Sequence, residues 1–299
     1  MQGVLCSVAP STLRAYSAAA ARFQAFATGA GTQGSWPASQ DLVLQYLAHL
    51  KGLGLSPRTM RRDLAAISFF SKAQGLPDPC NCFLARRALE GWARLAPPPP
   101  DPRRPITIPI LERVLQALPN LCWSAFEVQL FRAAFLITFF GAFRVSEVAS
   151  GSRSDMSGRA LAVSDITCSP RRATIRLRRS KTDQRGRGAS VTLRAAAGRH
   201  LCPVRAIRAY LALRPPFPGP LFAPEDKLPL TRYQFASVLR ACLRHAGFPP
   251  MRFGTHSFRI GAATVAAGLG LPAPAIQSIG RWRSSAFRSY IRPLGEAPY

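Results

Sequence analysis

The 299-residue sequence is poor in acidic residues and in lysine. It holds 14 Asp and Glu against 40 Lys and Arg, and because only four of the cations are lysines, 36 are arginines. The formal charge of +26 at pH 7 repels itself unless a polyanion offsets it. Nucleic acid is the usual polyanion, bound through its phosphates. A membrane surface and a base-composition bias of the gene are the alternatives, but the arginines form no polybasic cluster.

Long apolar runs are also missing, although apolar residues make up 47% of the chain. The best candidate, residues 133–143, is bounded by Arg132 and Arg144 and falls well short of the roughly 18 residues that span a membrane. The apolar content can still build a core, which excludes a disordered basic tail. The first eleven residues lack the basic and apolar regions of a secretory signal. We expect an intracellular protein, located in the nucleus of a eukaryote or in the nucleoid or cytoplasm of a prokaryote.

The seven cysteines are odd in number and irregularly spaced. Cys80 and Cys82 lie two apart, without the second pair that would complete a zinc site. We therefore expect reduced thiols in a reducing compartment and no structural metal.

Helical periodicity dominates the first hundred residues. Apolar residues recur at helical spacing over residues 11–27, and Ser39 can cap a second helix. Ser56, followed by a proline at the first helical position, opens a third. With a fourth helix over residues 81–95, the segment can enclose one small core.

A proline-rich stretch over residues 96–106 predicts a semi-rigid linker. Residues 1–100 carry 10 basic and 4 acidic side chains, and the remainder carries 30 and 10. The second part, residues 107–299, therefore has the stronger positive field, at +20.

The second part alternates between helical and strand patterns. Helices are predicted over residues 109–118 and 124–150. Strands are predicted over 160–167, 173–179 and 190–194, with a turn-rich connection containing Lys181 between the last two. Helical patterns resume at residues 203–213, 231–246, 255–267, 273–279 and 284–291. The chain is therefore expected to be mainly α-helical, with a small antiparallel sheet.

Three short stretches stand out against this background. Singly they are weak, because His-x-x-Arg is expected roughly 0.5 times and Arg-x-x-Glu roughly 0.7 times by chance in this composition. Their order and spacing carry more weight. The stretches are Gly141-Ala-Phe-Arg-Val-Ser-Glu-Val148, Thr255-His-Ser-Phe-Arg-Ile-Gly-Ala262 and Gly280-Arg-Trp-Arg-Ser-Ser-Ala-Phe-Arg-Ser-Tyr-Ile-Arg292.

In this order the residues resemble the tyrosine recombinase (phage integrase) family over nearly the whole chain. The amino-acid sequences of the three stretches are most similar to those of recombinases from DIRS-type retrotransposons and Crypton elements. The resemblance implies a four-helix, SAM-like core-binding domain over residues 1–95 and an α+β catalytic domain over residues 107–299. The matched catalytic positions are Arg144, Lys181, His256, Arg259, Trp282 and Tyr290.

The resemblance also implies a function, a site-specific recombinase or integrase of a mobile element. Such an enzyme cleaves and rejoins double-stranded DNA through a 3′-phosphotyrosyl intermediate, as a homo-tetramer on two DNA sites. It needs neither a metal nor another cofactor, and the sequence has no carboxylate cluster suited to two metal ions. The core-binding domain would contact DNA, and our candidates there are Arg58, Arg61 and Arg62.

Residue chemistry suits these roles. Arg144 and Arg259 offer planar donors that match the non-bridging oxygens of a phosphate. An alternative for Arg144 is an ion pair with Glu147, three residues on, and both can hold. His256 lies three residues before Arg259 and is predicted to share its helix face.

Tyr290 is the expected nucleophile. A phenol ordinarily titrates near pH 10, at about three units above neutrality, so a tyrosine nucleophile needs a base and a positive pocket. His256 is the candidate base. The alternative for Tyr290 is a packing role, because the apolar Phe287 and Ile291 flank it. Lys181 would protonate the 5′-oxygen leaving group, unless it is a solvated turn lysine. Trp282 can donate one hydrogen bond and would contact phosphate while it packs on the tyrosine segment.

Two other readings remain open at this stage. A type IB topoisomerase uses similar chemistry, although the helical first part favours a recombinase. A domesticated element protein that binds DNA without cleaving it would keep the charge and lose the activity.

Overall fold

A computed structural model describes residues 2–31, 36–96, 101–155, 158–178, 188–196 and 200–293. The chain divides into two compact units, Met1–Asp101 and Pro102–Tyr299. The described part is mainly helical with one small antiparallel sheet, which confirms the expected fold class. Among the described residues, no helix is both long enough and apolar enough to cross a membrane. The separate linker over 96–106 stays a prediction, and its residues 97–100 lie outside the described ranges.

The first unit is all-helical. Ser39 and Ser56 each cap a helix as predicted, since their hydroxyl oxygens accept from the backbone N–H groups of Leu42 and Thr59. Apolar faces of four helices meet in one core around Phe23. These core helices are α2 (Pro10–Gly29), α3 (Gln40–Gly52), α4 (Pro57–Ala73) and α5 (Phe83–Leu95), and the short α1 (Gln2–Leu5) before them has no buried residue.

One charged group lies inside that core. Asp63 on α4 is fully buried and accepts two hydrogen bonds from Arg22 Nη2 at 2.8 Å and one from Tyr46 Oη at 3.3 Å. Burial, together with the nearby Asp63 charge, raises the pKa of Tyr46 to about 12. The carboxylate is therefore paired rather than left unsatisfied.

The second unit surrounds the central helix α7 (Ala125–Phe140), which is buried along most of its length. Its apolar run, seen in the sequence as a short candidate membrane span, is thus a core helix. The other α-helices are α6 (Ile108–Ala117), α8 (Val145–Val148), α9 (Pro203–Leu213), α10 (Arg232–His245), α11 (Ser257–Gly268) and α12 (Ala273–Gly280). Short 3-10 helices occur at Leu118–Asn120, Val163–Asp165, Pro250–Arg252 and Ser285–Tyr290.

The sheet has three strands in sequential antiparallel order, β1 (Ile166–Cys168), β2 (Arg172–Leu177) and β3 (Ala189–Arg194). In β2 the buried Ala173, Ile175 and Leu177 alternate with exposed or half-buried neighbours, as the period of two predicts. The connection between β2 and β3, with Lys181, lies outside the described residues.

Three predicted elements were wrong in extent or type. The helix predicted over 124–150 ends at Phe140, because Ala142 adopts a left-handed conformation (φ +42°) and starts a new direction. The strand predicted over 160–167 is reduced to β1 and a preceding 3-10 turn. The helix predicted over 284–291 is the 3-10 helix Ser285–Tyr290.

Helix α11 packs tightly against the segment that enters the second unit. The backbone N–H of Ile106 donates to the carbonyl oxygen of Ser257 at 3.0 Å. A Cβ atom on Gly261, one turn along, would lie 2.7 Å from the carbonyl carbon of Ile106. Glycine therefore permits the close approach of two backbones that fixes α11 in place.

Candidate active site

The site forms where the start of α11 meets the turn after α7 and the segment after α12. Arg259, on α11, is fully buried. Its guanidinium donates through Nη1 to the carbonyl oxygen of Ala142 and through Nη2 to that of Gly280 at 2.9 Å. Arg259 thus ties together three segments that lie more than a hundred residues apart at their extremes.

The turn after α7 has a tightly determined shape. A Cβ atom on Gly141 would lie 2.6 Å from Cδ2 of the Phe143 ring, so only glycine fits there. The left-handed Ala142 then reverses the chain, and Arg144 occupies the N-cap of α8. This geometry directs the carbonyl oxygen of Ala142 to Arg259 and places Arg144 beside Glu147.

Glu147 is the anionic centre of the cluster. Its carboxylate accepts from the backbone N–H of Arg144 at 2.9 Å and from Arg144 Nη1 at 3.1 Å. It also accepts from Arg281 Nη2 at 3.1 Å. The predicted pairing of Arg144 with Glu147 is therefore present, while Arg144 keeps a side chain that is 17% exposed.

Arg281 is the site residue that sequence reasoning missed. It follows α12 in a left-handed conformation (φ +57°, ψ +39°) and donates to the carbonyl oxygens of Gly141 at 2.8 Å and Ala142 at 3.4 Å. Its position in Gly280-Arg281-Trp282 was visible in the sequence. The available signal was an arginine at the end of a predicted helix, a position where a left-handed conformation is common and glycine is preferred.

Tyr290 ends the 3-10 helix that follows. Its phenol oxygen lies 3.1 Å from His256 Nε2, and either atom can be the donor, depending on the histidine tautomer. The ring centroids of Tyr290 and Trp282 lie 5.2 Å apart. The guanidinium carbon of Arg259 lies 4.6 Å from the Trp282 ring centroid and 5.7 Å from that of Tyr290. These four side chains therefore form one contiguous group.

The electrostatics of the group are dominated by excess positive charge. Burial, aided by the neighbouring Arg144 and Arg281 charges, lowers the pKa of Arg259 to about 10. Burial likewise lowers the pKa of Arg281. Nε of Arg259, Nε of Arg281 and the indole nitrogen of Trp282 are buried without a hydrogen-bond partner among the described residues. An anion bound here would relieve the repulsion between the cations.

The structure thus brings together five of the six predicted catalytic residues. Arg144 joins the group through Glu147, and His256, Arg259, Trp282 and Tyr290 touch one another. Lys181 lies outside the described residues.

The candidate DNA contacts of the first unit lie on α4, where all three are exposed. Arg61 donates to the carbonyl oxygen of Leu89 at 3.4 Å, and Arg62 pairs with Asp63 at 3.3 Å. Arg58 is exposed at the beginning of the same helix. Within the described ranges, no group of three or more His, Cys, Asp or Glu side chains is arranged to hold a metal ion.

Comparison with known proteins agrees with this geometry. Residues 4–73 match the model of the phage integrase N-terminal SAM-like domain. An integrase/recombinase XerD homologue of Selenomonas ruminantium is 26% identical over 270 residues, which span 87% of this chain and 75% of that protein. The chain is thus similar to phage integrases in its first unit and to this recombinase homologue over most of its length.

Several solved structures share the fold of this chain. The XerH site-specific recombinase, in a post-cleavage complex with its palindromic difH substrate, matches with a TM-score of 0.64 at 17% identity, over 93% of this chain and 75% of XerH. A lambda integrase dimer on a COC′ core site matches with a TM-score of 0.63 at 12% identity, over 98% and 74%. The Tn1549 transposon integrase, bound to circular-intermediate DNA, matches with a TM-score of 0.56 at 14% identity, over 89% and 85%.

Proposed function

We propose that this protein is a site-specific DNA recombinase that cleaves and rejoins DNA through a covalent bond between Tyr290 and a 3′ phosphate. The observation that carries the proposal is the 3.1 Å separation of Tyr290 Oη and His256 Nε2, beside the buried Arg259. A nucleophilic hydroxyl next to a base and a fixed cation is the arrangement that nucleophilic attack requires.

In the proposed step, Tyr290 Oη attacks the phosphorus while His256 Nε2 accepts the phenol proton. A bond forms between phosphorus and the tyrosine oxygen, and the bond to the 5′-oxygen breaks. That oxygen leaves as a hydroxyl after it takes a proton, for which Lys181 is our proposed donor. Attack by the 5′-hydroxyl of a second strand reverses the step, so one phosphodiester is exchanged for another and no external energy source is needed.

The arginines would stabilise the charge that develops on the phosphate. Arg144 keeps a partly exposed guanidinium, and Arg259 is held rigidly by two carbonyl oxygens, so both are fixed before DNA binds. Pre-organised donors of this kind cost no reorganisation during the reaction. Trp282, which packs against both Arg259 and Tyr290, would contact the phosphate through its unpaired indole N–H.

We propose double-stranded DNA as the partner, and the Tn1549 transposon integrase, which is similar in fold, was solved in complex with circular-intermediate DNA. We assign core binding to residues 1–95, with Arg58, Arg61 and Arg62 as contacts, and catalysis to residues 107–299. We also propose a homo-tetramer on two sites and an origin in a mobile element. Phosphate contacts by many arginines predict binding that weakens steeply as salt rises.

The test begins with selection of bound DNA sites from a random library. A nicked suicide substrate built on the selected sequence then traps the adduct, which migrates as a protein–DNA band in denaturing gels. Tyr290→Phe should abolish the adduct and keep DNA binding within about twofold, since it removes one hydroxyl. Tyr233→Phe is the matched control, because that tyrosine is 77% exposed on α10, and it should leave the adduct unchanged.

Each contrary outcome has a distinct meaning. An adduct that persists in Tyr290→Phe refutes the nucleophile assignment. Plasmid relaxation without exchange between sites would indicate a topoisomerase. A wild-type protein that shifts its selected DNA and never forms an adduct would be a non-catalytic DNA-binding protein.

A further inference from the structure

Arg281 connects the turn after α7 to the segment that carries the nucleophile. Its guanidinium reaches two backbone carbonyls of the turn and the carboxylate of Glu147, across 134 to 140 residues of sequence. The residue holds a left-handed conformation that favours glycine. Its side chain is 16% exposed, nearly the same fraction as that of Arg144.

Arg144 and Arg281 bind different oxygens of the same carboxylate, that of Glu147. Arg144 Nη1 binds Oε1 of Glu147, while Arg281 Nη2 and the backbone N–H of Arg144 bind Oε2. Neither guanidinium therefore holds both oxygens. An arginine alone with a carboxylate ordinarily forms the two-bond, fork-like pair, which is the stronger arrangement.

This division has an electrostatic consequence. Arg144, Arg259 and Arg281 bring three positive charges, and Glu147 brings the one carboxylate that pairs with them within the described ranges. The cluster therefore carries a net charge of about +2, which a phosphodiester would partly offset. Without Arg281, Oε2 of Glu147 would keep only its bond from the backbone N–H of Arg144 and could also accept from the Arg144 guanidinium. The net charge would fall to about +1.

We propose that Arg281 is a positioning residue, which occupies one oxygen of Glu147 and so keeps the guanidinium of Arg144 available to the scissile phosphate. Arg281 also donates to the carbonyl oxygen of Ala142, which Arg259 contacts as well. One side chain thus fixes the surroundings of both phosphate-binding arginines. This inference rests on the proposed recombinase function.

The test is a double-mutant cycle on Arg281 and Glu147, read as the single-turnover rate of adduct formation on saturating suicide substrate. Arg281→Met should lower that rate on the order of 10-fold, because Glu147 then captures Arg144. Adding Glu147→Gln removes the capturing charge, returns the cluster to about +2, and should recover on the order of 10-fold over Arg281→Met alone. DNA affinity should change by less than about threefold.

Three controls separate positioning from other effects. Arg283→Met removes an equal charge two residues away from an exposed side chain, and Glu147→Gln should not rescue it. Arg281→Lys keeps a cation for Oε2 and should retain more activity than Arg281→Met. Methionine and arginine both carry a Cβ atom, so the left-handed backbone is equally strained in each, and thermal melting shows whether either variant is folded.

A second readout does not depend on cleavage. Inorganic phosphate at constant ionic strength should raise the melting temperature of the wild type and of the double variant more than that of Arg281→Met. If the wild type forms no adduct, the proposed function fails while this measurement still judges Arg281. The inference is overturned if Arg281→Met cleaves at the wild-type rate, or if Glu147→Gln lowers the rate of Arg281→Met further.

Discussion

Replacing Gly261 with alanine would place a methyl group against the backbone of Ile106. The added Cβ would lie 2.7 Å from the carbonyl carbon and 3.1 Å from the nitrogen of that residue, whereas ordinary contacts begin at 3.4 Å. Helix α11 must therefore shift on the order of 1 Å, since backbone cannot rotate away as a side chain can. The 3.0 Å bond from Ile106 N–H to the carbonyl oxygen of Ser257 would stretch or break.

The expected cost can be assembled from these contacts. Overpacking costs about 1–3 kcal/mol, and loss of one backbone hydrogen bond adds about 1 kcal/mol. The higher helix propensity of alanine returns about 1 kcal/mol. A net loss of about 1–3 kcal/mol in a unit of this size lowers the melting temperature by roughly 2–12 °C. Because Arg259 lies two residues before Gly261, adduct formation should fall further, by on the order of 100-fold for a 1 Å displacement.

Gly91→Ala is the matched control. Gly91 lies inside helix α5, and a Cβ atom there meets nothing within 4 Å. The same substitution should therefore stabilise the first unit by about 0.5–1 kcal/mol. Urea denaturation and adduct assays on both variants check the prediction. A Gly261→Ala protein as stable and as active as the wild type would refute the close-approach argument.

Two further predictions concern other parts of the molecule. The pKa of Tyr46 is raised to about 12 in the folded state, so the folded protein keeps a proton that the unfolded chain loses above about pH 10. The contribution of Tyr46 to the free energy of unfolding therefore falls as the pH rises from about 10 to about 12, by up to about 3 kcal/mol. Tyr46→Phe should remove that part of the alkaline decline in the free energy of unfolding, and an unchanged decline would contradict the assignment. Gly280→Ala should displace the Trp282 ring, because the added Cβ would overlap it. Adduct formation should fall on the order of 10-fold, and tryptophan fluorescence should change. Wild-type activity in this variant would show that the position of the ring is unimportant.

The fold was largely predictable from local patterns. Ser39 and Ser56 mark helix starts, and the alternation in β2 marks a half-buried strand, because both signals depend on neighbouring residues. The break at Gly141 escaped prediction because the apolar run continues through Phe143 and shows no local sign of a left-handed turn. That turn is fixed by tertiary contacts, namely the close packing of the Phe143 ring on Gly141 and the hydrogen bonds from Arg259 and Arg281.

The candidate site was predictable only in part, for a related reason. The order of Arg144, His256, Arg259 and Tyr290 follows a family pattern, which belongs to the linear sequence. The sharing of Glu147 joins positions 134 residues apart, and one arginine among 36 gives no sign of such a partner. Long-range ion pairs of this kind are settled by tertiary packing.

The hydrogen bonds to the Ala142 carbonyl oxygen also determine when, during synthesis of the chain, the site can form. Its two donors, Arg259 and Arg281, emerge 117 and 139 residues after it during synthesis. Contacts so distant in sequence form slowly and late in folding. The first unit, whose core is complete by α5, can fold while the ribosome is still extending the chain. Under the proposed function, the proposed DNA-binding unit of a nascent chain would form well before the proposed cleavage site.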